Sequence, residues 1–83
     1  MSVSDATRDR LRWRCRRGMK ELDLLLARWM EEGWPRAGEE SRLAFAWLLE
    51  QPDPDIADWL LGGARPAGAA RAALIDDILH RRD

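Results

Sequence analysis

The feature that most limits how this chain can fold is an apolar stripe that begins near residue 19. Its members recur at the three- and four-residue spacing of one helix face. They are Met19, Leu22, Leu25, Leu26, Trp29 and Met30. Gly33 and Pro35 then interrupt the pattern, since both residue types end helices. The stripe predicts an amphipathic helix over about residues 19–32, whose apolar face needs other helices to cover it.

Residues 8–16 are less clear, because arginine alternates there with other residues. This period of two is typical of a strand. The chain offers no second strand to pair with it, however, and a lone strand leaves its backbone groups unsatisfied. We therefore predict a helix with Leu11 and Cys15 on one face and Gly18 as its left-handed cap.

A further boundary lies at Gln51–Asp55. Pro52 disfavours helical geometry at the preceding residue. Asp53 is a good N-cap, and Pro54 suits the first helical position. Together with the glycines at 62 and 63, these signals predict helices over about 6–16, 19–32, 39–50, 54–61 and 69–81.

These elements predict an all-α fold, a small single-domain bundle of about five short helices. A chain of 83 residues suits one domain. Trp13, Trp29 and Trp59 are the expected aromatic anchors of the core. The apolar positions of the third helix are Leu43, Phe45, Leu48 and Leu49. Trp47 does not fit that face and is expected to be exposed or at a contact.

The charge is unevenly distributed, although the formal net charge is only −1. Arginines crowd the first quarter of the chain, and carboxylates gather later. A basic end on an otherwise acidic chain can attract a partner. One alternative is therefore a nucleic-acid-binding or antitoxin-type module, against which the sequence pI of about 5.8 argues.

The single cysteine, Cys15, fits a reducing compartment. A half-buried structural role is favoured over a reactive thiol, although the neighbouring arginines could lower its pKa. No apolar run approaches the roughly 20 residues of a membrane span, and no signal peptide is recognisable. We expect a mature, cytoplasmic protein.

Motifs for catalysis are missing. The sequence has no glycine-rich phosphate loop, no His/Cys metal spacing and no Ser/His/Asp set. The single histidine, His80, is explained as a charge at a helix C-terminus. Asp53, Asp55 and Asp58 are explained by the start of one helix. We expect no enzyme activity, no catalytic residues, no metal site and no stably bound cofactor.

Arg17-Gly18-x-x-Glu21 carries more charge than a helix junction needs. One interpretation is a surface ion pair worth about 0.3–0.5 kcal/mol beside a capping glycine. The other is a docking site, because glycine lets another backbone approach and arginine binds carboxylates or phosphates in a planar fork. Removing Arg17 or Glu21 is expected to leave the fold nearly intact, since surface changes usually cost within about 0.5 kcal/mol.

Two motifs resemble the signature of the succinate dehydrogenase assembly factor family, the SdhE-like FAD assembly factors. The first is Arg17-Gly18-x-x-Glu21, preceded by Arg10-Leu11-x-Trp13-Arg14-x-Arg16 and followed by Leu22-Asp23. The second is Phe45-x-x-Leu48-Leu49-x-x-Pro52-Asp53-x-Asp55-x-x-x-Trp59-Leu60. Together they cover roughly residues 8–62, while Trp34 and Trp47 look like departures from the family pattern.

The resemblance implies a helical bundle that binds the flavoprotein subunit of succinate dehydrogenase or fumarate reductase and promotes covalent attachment of FAD. The FAD would be held by that client protein, and this chain would act as a scaffold. On the same resemblance, the partner-binding residues are Arg10, Arg14, Arg17, Gly18, Glu21 and Asp23.

Overall fold

The structure is a computed structural model that describes residues 5–80, with side chains described from Thr7 onward. Its α-helices are α1 (Asp5–Arg14), α2 (Lys20–Glu32), α3 (Glu39–Leu49), α4 (Asp53–Leu60) and α5 (Ala69–His80). A short 3-10 helix at Trp34–Arg36 joins α2 to the loop before α3. No strand occurs in residues 5–80, so the predicted all-α class is confirmed.

The helix bounds lie close to the predicted ones, with two informative differences. α1 ends at Arg14 rather than at residue 16, so Gly18 lies beyond the helix end and does not cap it. α4 begins at Asp53 with Pro52 as its N-cap, so the prediction of Asp53 as N-cap is wrong. The predicted end of the last helix, at residue 81, lies outside the described residues.

Three aromatic side chains form the centre of the bundle. Trp29 stacks on Phe45 with ring centroids 4.4 Å apart. The Trp34 ring meets Trp29 edge to face at 6.3 Å. The indole N–H of Trp29 donates a hydrogen bond to Oδ2 of Asp77 at 2.7 Å, which ties α2 to α5. Such aromatic pairs stabilise a core by about 0.5–1.5 kcal/mol beyond their buried area.

Gly33 allows the chain to turn closely over this centre. A Cβ atom at Gly33 would lie 2.5 Å from the indole nitrogen of Trp29, which is a severe overlap. The backbone of Gly33 is otherwise ordinary, with φ −90°. Glycine is therefore required here for space rather than for conformation.

The expected tryptophan anchors are only partly confirmed. Trp29 is buried, whereas Trp13 is 71% exposed and is not a core residue. Leu11 in α1 and Cys15 just beyond its end are buried, and they define the side of the helix that faces the core. Trp13 follows Leu11 by about 200° around the helix axis, so its side chain lies on the opposite side. Trp59 is half-buried and stacks on Trp47 at 5.2 Å.

The third helix also differs from expectation at its apolar positions. Leu43 was expected on the inner face but is 55% exposed, whereas Phe45 is buried. The Arg71 guanidinium lies 3.9 Å from the Trp47 ring centroid, so Trp47 is covered by Arg71 and Trp59 rather than by the central core.

None of the helices within residues 5–80 combines the length and the apolar character needed to cross a bilayer.

Candidate functional site

Residues 15–19, which connect α1 to α2, form the segment that we call the Gly18 link. Gly18 has φ +87°, in the left-handed region that favours glycine. It is exposed, and a Cβ atom placed on it would meet no atom of the described residues within 4 Å. The link therefore presents an open stretch of backbone on the surface.

The carboxylate of Asp23 holds the backbone of this link. Its Oδ1 accepts a hydrogen bond from the Arg17 amide at 2.7 Å, and its Oδ2 accepts one from the Gly18 amide at 3.3 Å. Asp23 lies in the first turn of α2, where a negative charge also complements the helix dipole. The sequence does not reveal this arrangement, because it depends on the direction of the loop.

The side chain of Arg17 points inward and binds the connection between α3 and α4. Its Nε donates to Oδ1 of Asp53 at 2.7 Å. Its Nη1 donates to the carbonyl oxygens of Leu49 at 2.8 Å and Arg14 at 3.1 Å. Its Nη2 donates to the carbonyl oxygen of Gln51 at 2.8 Å. These bonds account for four of the five N–H groups that a guanidinium carries.

This geometry corrects two expectations about Arg17. Its side chain is only 16% exposed, so it is not a surface residue whose removal would leave the fold nearly intact. Its acidic partner is Asp53 rather than Glu21, which is exposed on α2. The Asp53 carboxylate points toward Arg17, and no side chain caps the start of α4.

The six predicted partner-binding residues thus fall into two groups. Arg10, Arg14, Gly18 and Glu21 are exposed. Arg17 and Asp23 are half-buried and bind other parts of this chain. A role in partner binding stays a prediction for all six. The structure adds that Arg17 and Asp23 shape the surface that the exposed residues present.

A groove of about 720 Å³ lies beside the Gly18 link, between α1 and α2. Its lining includes Gly18, Arg16, Lys20 and the half-exposed Leu24. Leu24 also lines a second groove of about 320 Å³, together with Glu21 and Leu61. Basic, acidic and apolar groups therefore adjoin the exposed motif.

Sequence reasoning missed part of this surface. Trp13 was assigned to the core, but its exposed ring lies beside the Arg16 guanidinium, which is 5.2 Å from the ring centroid. Leu24 is 56% exposed. The sequence does indicate that both side chains are exposed, because neither residue falls on the apolar stripe of its helix.

Cys15 lies in the groove lining but is buried, with 2% of its surface exposed. Burial raises the pKa of its thiol from 9.0 to about 12, and this outweighs the opposing effect of Arg17 and Arg12. The thiol therefore stays protonated at neutral pH, as expected for a structural cysteine. Among the described side chains, no cluster of three or more His, Cys, Asp or Glu residues is arranged to hold a metal ion.

Comparison with known proteins finds similarity over most of the chain. Residues 9–82 match the model of the Sdh5 family, described as the flavinator of succinate dehydrogenase. The chain is 44% identical over 69 residues to the FAD assembly factor SdhE of Coxiella burnetii. The aligned region covers 83% of this chain and 84% of that protein. It is 38% identical over 77 residues to the FAD assembly factor SdhE of Photobacterium profundum. That aligned region covers 93% of this chain and 88% of the relative.

Proposed function

This chain belongs to the Sdh5 family of FAD assembly factors, and on that premise we propose that it binds the flavoprotein subunit of succinate dehydrogenase or fumarate reductase and promotes covalent attachment of FAD. The family resemblance carried by the two motifs is confirmed. Nothing in these matches supports the alternative of a nucleic-acid-binding or antitoxin-type module.

The observation that carries the proposal is the exposed Gly18 link, held from behind by Arg17 and Asp23. A surface of this kind binds without reorganising, which reduces the conformational entropy lost on association. Exposed tryptophan and arginine side chains are the residue types that most often dominate interface energies. Arg16 belongs to the link, and its guanidinium lies beside the ring of Trp13. The surface suits a client face that offers carboxylates around an apolar patch.

The proposed mechanism is that of a scaffold rather than an enzyme. Arginine stays protonated at neutral pH, so the site offers positioning rather than proton transfer. The factor binds better to the client conformation in which FAD and the acceptor side chain are aligned, and so raises the population of that conformation. The client holds the FAD, and no cofactor is bound stably by this chain. A cytoplasmic location is part of the proposal.

The test is to express the client flavoprotein subunit with and without this chain and to measure covalent flavin by in-gel fluorescence. We expect a clear gain with the wild-type chain and a reduced gain with Glu21→Ala, because Glu21 is exposed and lies on the proposed docking face. Equal flavin fluorescence with and without the chain would rule out the proposal.

A sharper version uses two glycines with matched backbones. Gly63 has φ +86° and Gly18 has φ +87°. Within the part of the chain that the structure describes, a Cβ atom added at either glycine would have no neighbour within 4 Å. Gly18→Arg and Gly63→Arg should therefore lower the stability of the chain by similar amounts. Only Gly18→Arg should abolish flavinylation, since Gly63 does not line the groove beside the link. Equal loss by both variants would attribute the effect to stability.

A further inference from the structure

We propose that Asp53 is a positioning residue for client docking, which acts through Arg17 on the Gly18 link and does not itself touch the client. This inference rests on the proposed function and adds to it a residue from the second half of the chain. The motif around Pro52-Asp53 would then fix the geometry of the Arg17-Gly18-x-x-Glu21 motif, and the two motifs would serve one binding surface.

Arg17 has little hydrogen-bonding capacity left for a client. Its guanidinium already donates to Asp53 and to the carbonyl oxygens of Leu49, Gln51 and Arg14. A client carboxylate that took both arms of the fork would have to displace several of these bonds. Arg17 therefore serves the link from inside rather than as the contacting group.

Asp53 supplies the charged acceptor among the partners of Arg17. Its Oδ1 lies 2.7 Å from Nε of Arg17, and the other three acceptors are neutral backbone carbonyls. The guanidinium is charged in all four bonds, but only the bond to Asp53 also joins opposite charges, which adds a Coulomb attraction that the carbonyl oxygens lack. Without Asp53, the half-buried guanidinium loses its counter-charge and its strongest partner.

The bond between Arg17 and Asp53 affects the docking surface through the backbone of the Gly18 link. The side chain of Arg17 binds Asp53, while the amides of Arg17 and Gly18 bind Asp23. Glycine visits more backbone conformations than any other residue. When the Arg17 anchor is lost, Gly18 spends less time in the docking geometry. The apparent affinity for the client then falls in proportion to the fraction of molecules that are in that geometry.

The first experiment needs no client. Amide hydrogen exchange is measured by NMR on the isolated chain, for Asp53→Ala and for the control Asp55→Ala. Asp55 lies in the same first turn of α4, has the same charge and is exposed. Asp53→Ala should speed exchange of the Arg17 and Gly18 amides about tenfold, because exchange proceeds from the open form of the link and the population of that form rises when the Arg17 anchor is lost. Asp55→Ala should leave both amides unchanged.

An internal reference separates a local effect from general unfolding. The Gly33 amide donates to the Trp29 carbonyl at 2.7 Å, within the core-facing end of α2. Its exchange should accelerate much less than that of Arg17 and Gly18 in Asp53→Ala, because it reports the stability of the core rather than the local opening of the link. Unchanged exchange at Arg17 and Gly18, or equal acceleration at Gly33, would overturn the positioning role.

The second experiment measures affinity for the purified flavoprotein subunit in a double-mutant cycle. Asp53→Ala should weaken binding about tenfold, in line with the fractional loss of the docking geometry. Asp53→Asn, which keeps an oxygen acceptor, should restore part of the affinity. Combining Arg17→Ala with Asp53→Ala should bind no worse than Arg17→Ala alone, because both changes break the same anchor.

The outcomes of this cycle distinguish the two proposals. If the wild-type chain binds no flavoprotein subunit, the proposed function is wrong, and the exchange experiment still decides the role of Asp53. If the wild type binds and Asp53→Ala binds equally well, only the positioning role is wrong. Additive losses from Arg17→Ala and Asp53→Ala would likewise contradict it, since they would place Arg17 against the client.

Discussion

Trp29 and Arg17 each join helices that are distant in sequence, but they do so by different physics. Trp29 is 1% exposed, stacks on Phe45 and donates its indole N–H to Asp77. Arg17 is held by hydrogen bonds from its side chain to the α3–α4 connection. Apolar packing depends mainly on area and volume, whereas a guanidinium fork depends on direction. The core therefore stabilises the bundle, and the polar junction fixes the shape of the Gly18 link.

The largest expected effect comes from emptying the core. Trp29→Ala should lower the free energy of unfolding by about 3–5 kcal/mol, as large-to-small changes at buried aromatics do. A domain of this size has little stability to spare, so the variant should lose its cooperative transition in urea. Trp13→Ala is the control, because Trp13 is exposed and should cost no more than about 0.5 kcal/mol. Equal losses would contradict this assignment of the core.

The next effect tests the polar junction. Arg17→Ala should cost about 1.5–3 kcal/mol, the range for hydrogen bonds that involve charged groups. Arg17→Lys should recover little of this, because one ammonium group cannot reproduce the planar fork to Asp53 and two carbonyls. Urea unfolding would measure both changes. Arg14→Ala, at an exposed side chain, is the control, and full recovery by lysine would show that charge alone is sufficient.

A smaller effect should follow from backbone conformation alone. Gly18→Ala should lower stability by about 1–2 kcal/mol, because residues with a Cβ disfavour the left-handed region. Gly63→Ala should cost the same, since its φ is nearly identical and its surroundings are equally open. Thermal unfolding of both variants checks the match. A much larger loss at Gly18 would mean that the polar junction depends on the glycine for more than its φ.

The smallest effect at neutral pH concerns Cys15, which lies between the core and the junction. Its folded pKa of about 12 exceeds the unfolded value of 9.0, so only the unfolded chain releases the proton between them. The stability that Cys15 contributes is fully present below pH 9 and declines as the pH rises toward 12. Unfolding in urea across this range should show the decline.

Cys15→Ala provides the reference for this pH dependence, because the variant lacks the thiol and should show a flatter profile. The chain has no tyrosine, which removes one other group that titrates in the same range. Identical slopes in the two proteins would contradict the assignment of the decline to Cys15.

Sequence pattern predicted the bundle well because the apolar periods are local. The stripe from Met19 to Met30 and the breaks at Gly33 and Pro52 are properties of neighbouring residues. The resemblance likewise identified the family, since its motifs are short and in order. Trp13 was misassigned because hydrophobic character was weighed without the angular position around α1 that Leu11 and Cys15 define.

The inward role of Arg17 could not be predicted in the same way. Its main partners, Leu49, Gln51 and Asp53, lie far along the chain, and two of them contribute only backbone oxygen. Every residue carries a backbone carbonyl oxygen, so residue type does not indicate which of these oxygens will accept a hydrogen bond. A pair of Arg17 and Glu21 is therefore the interpretation that the local sequence favours. Only the three-dimensional structure identifies Asp53 as the acidic partner of Arg17.

The bond between Arg17 and Asp53 also has a consequence for the order of folding. It joins residues 36 positions apart, so its loop-closure entropy must be recovered by the helices between them. The Gly18 link thus reaches its final shape only after the chain has been made beyond residue 53. A peptide that carries the motif alone would have the right residues without the right conformation. Recognition of the motif therefore reports that the second half of the chain has folded, and a client that binds it selects completed molecules.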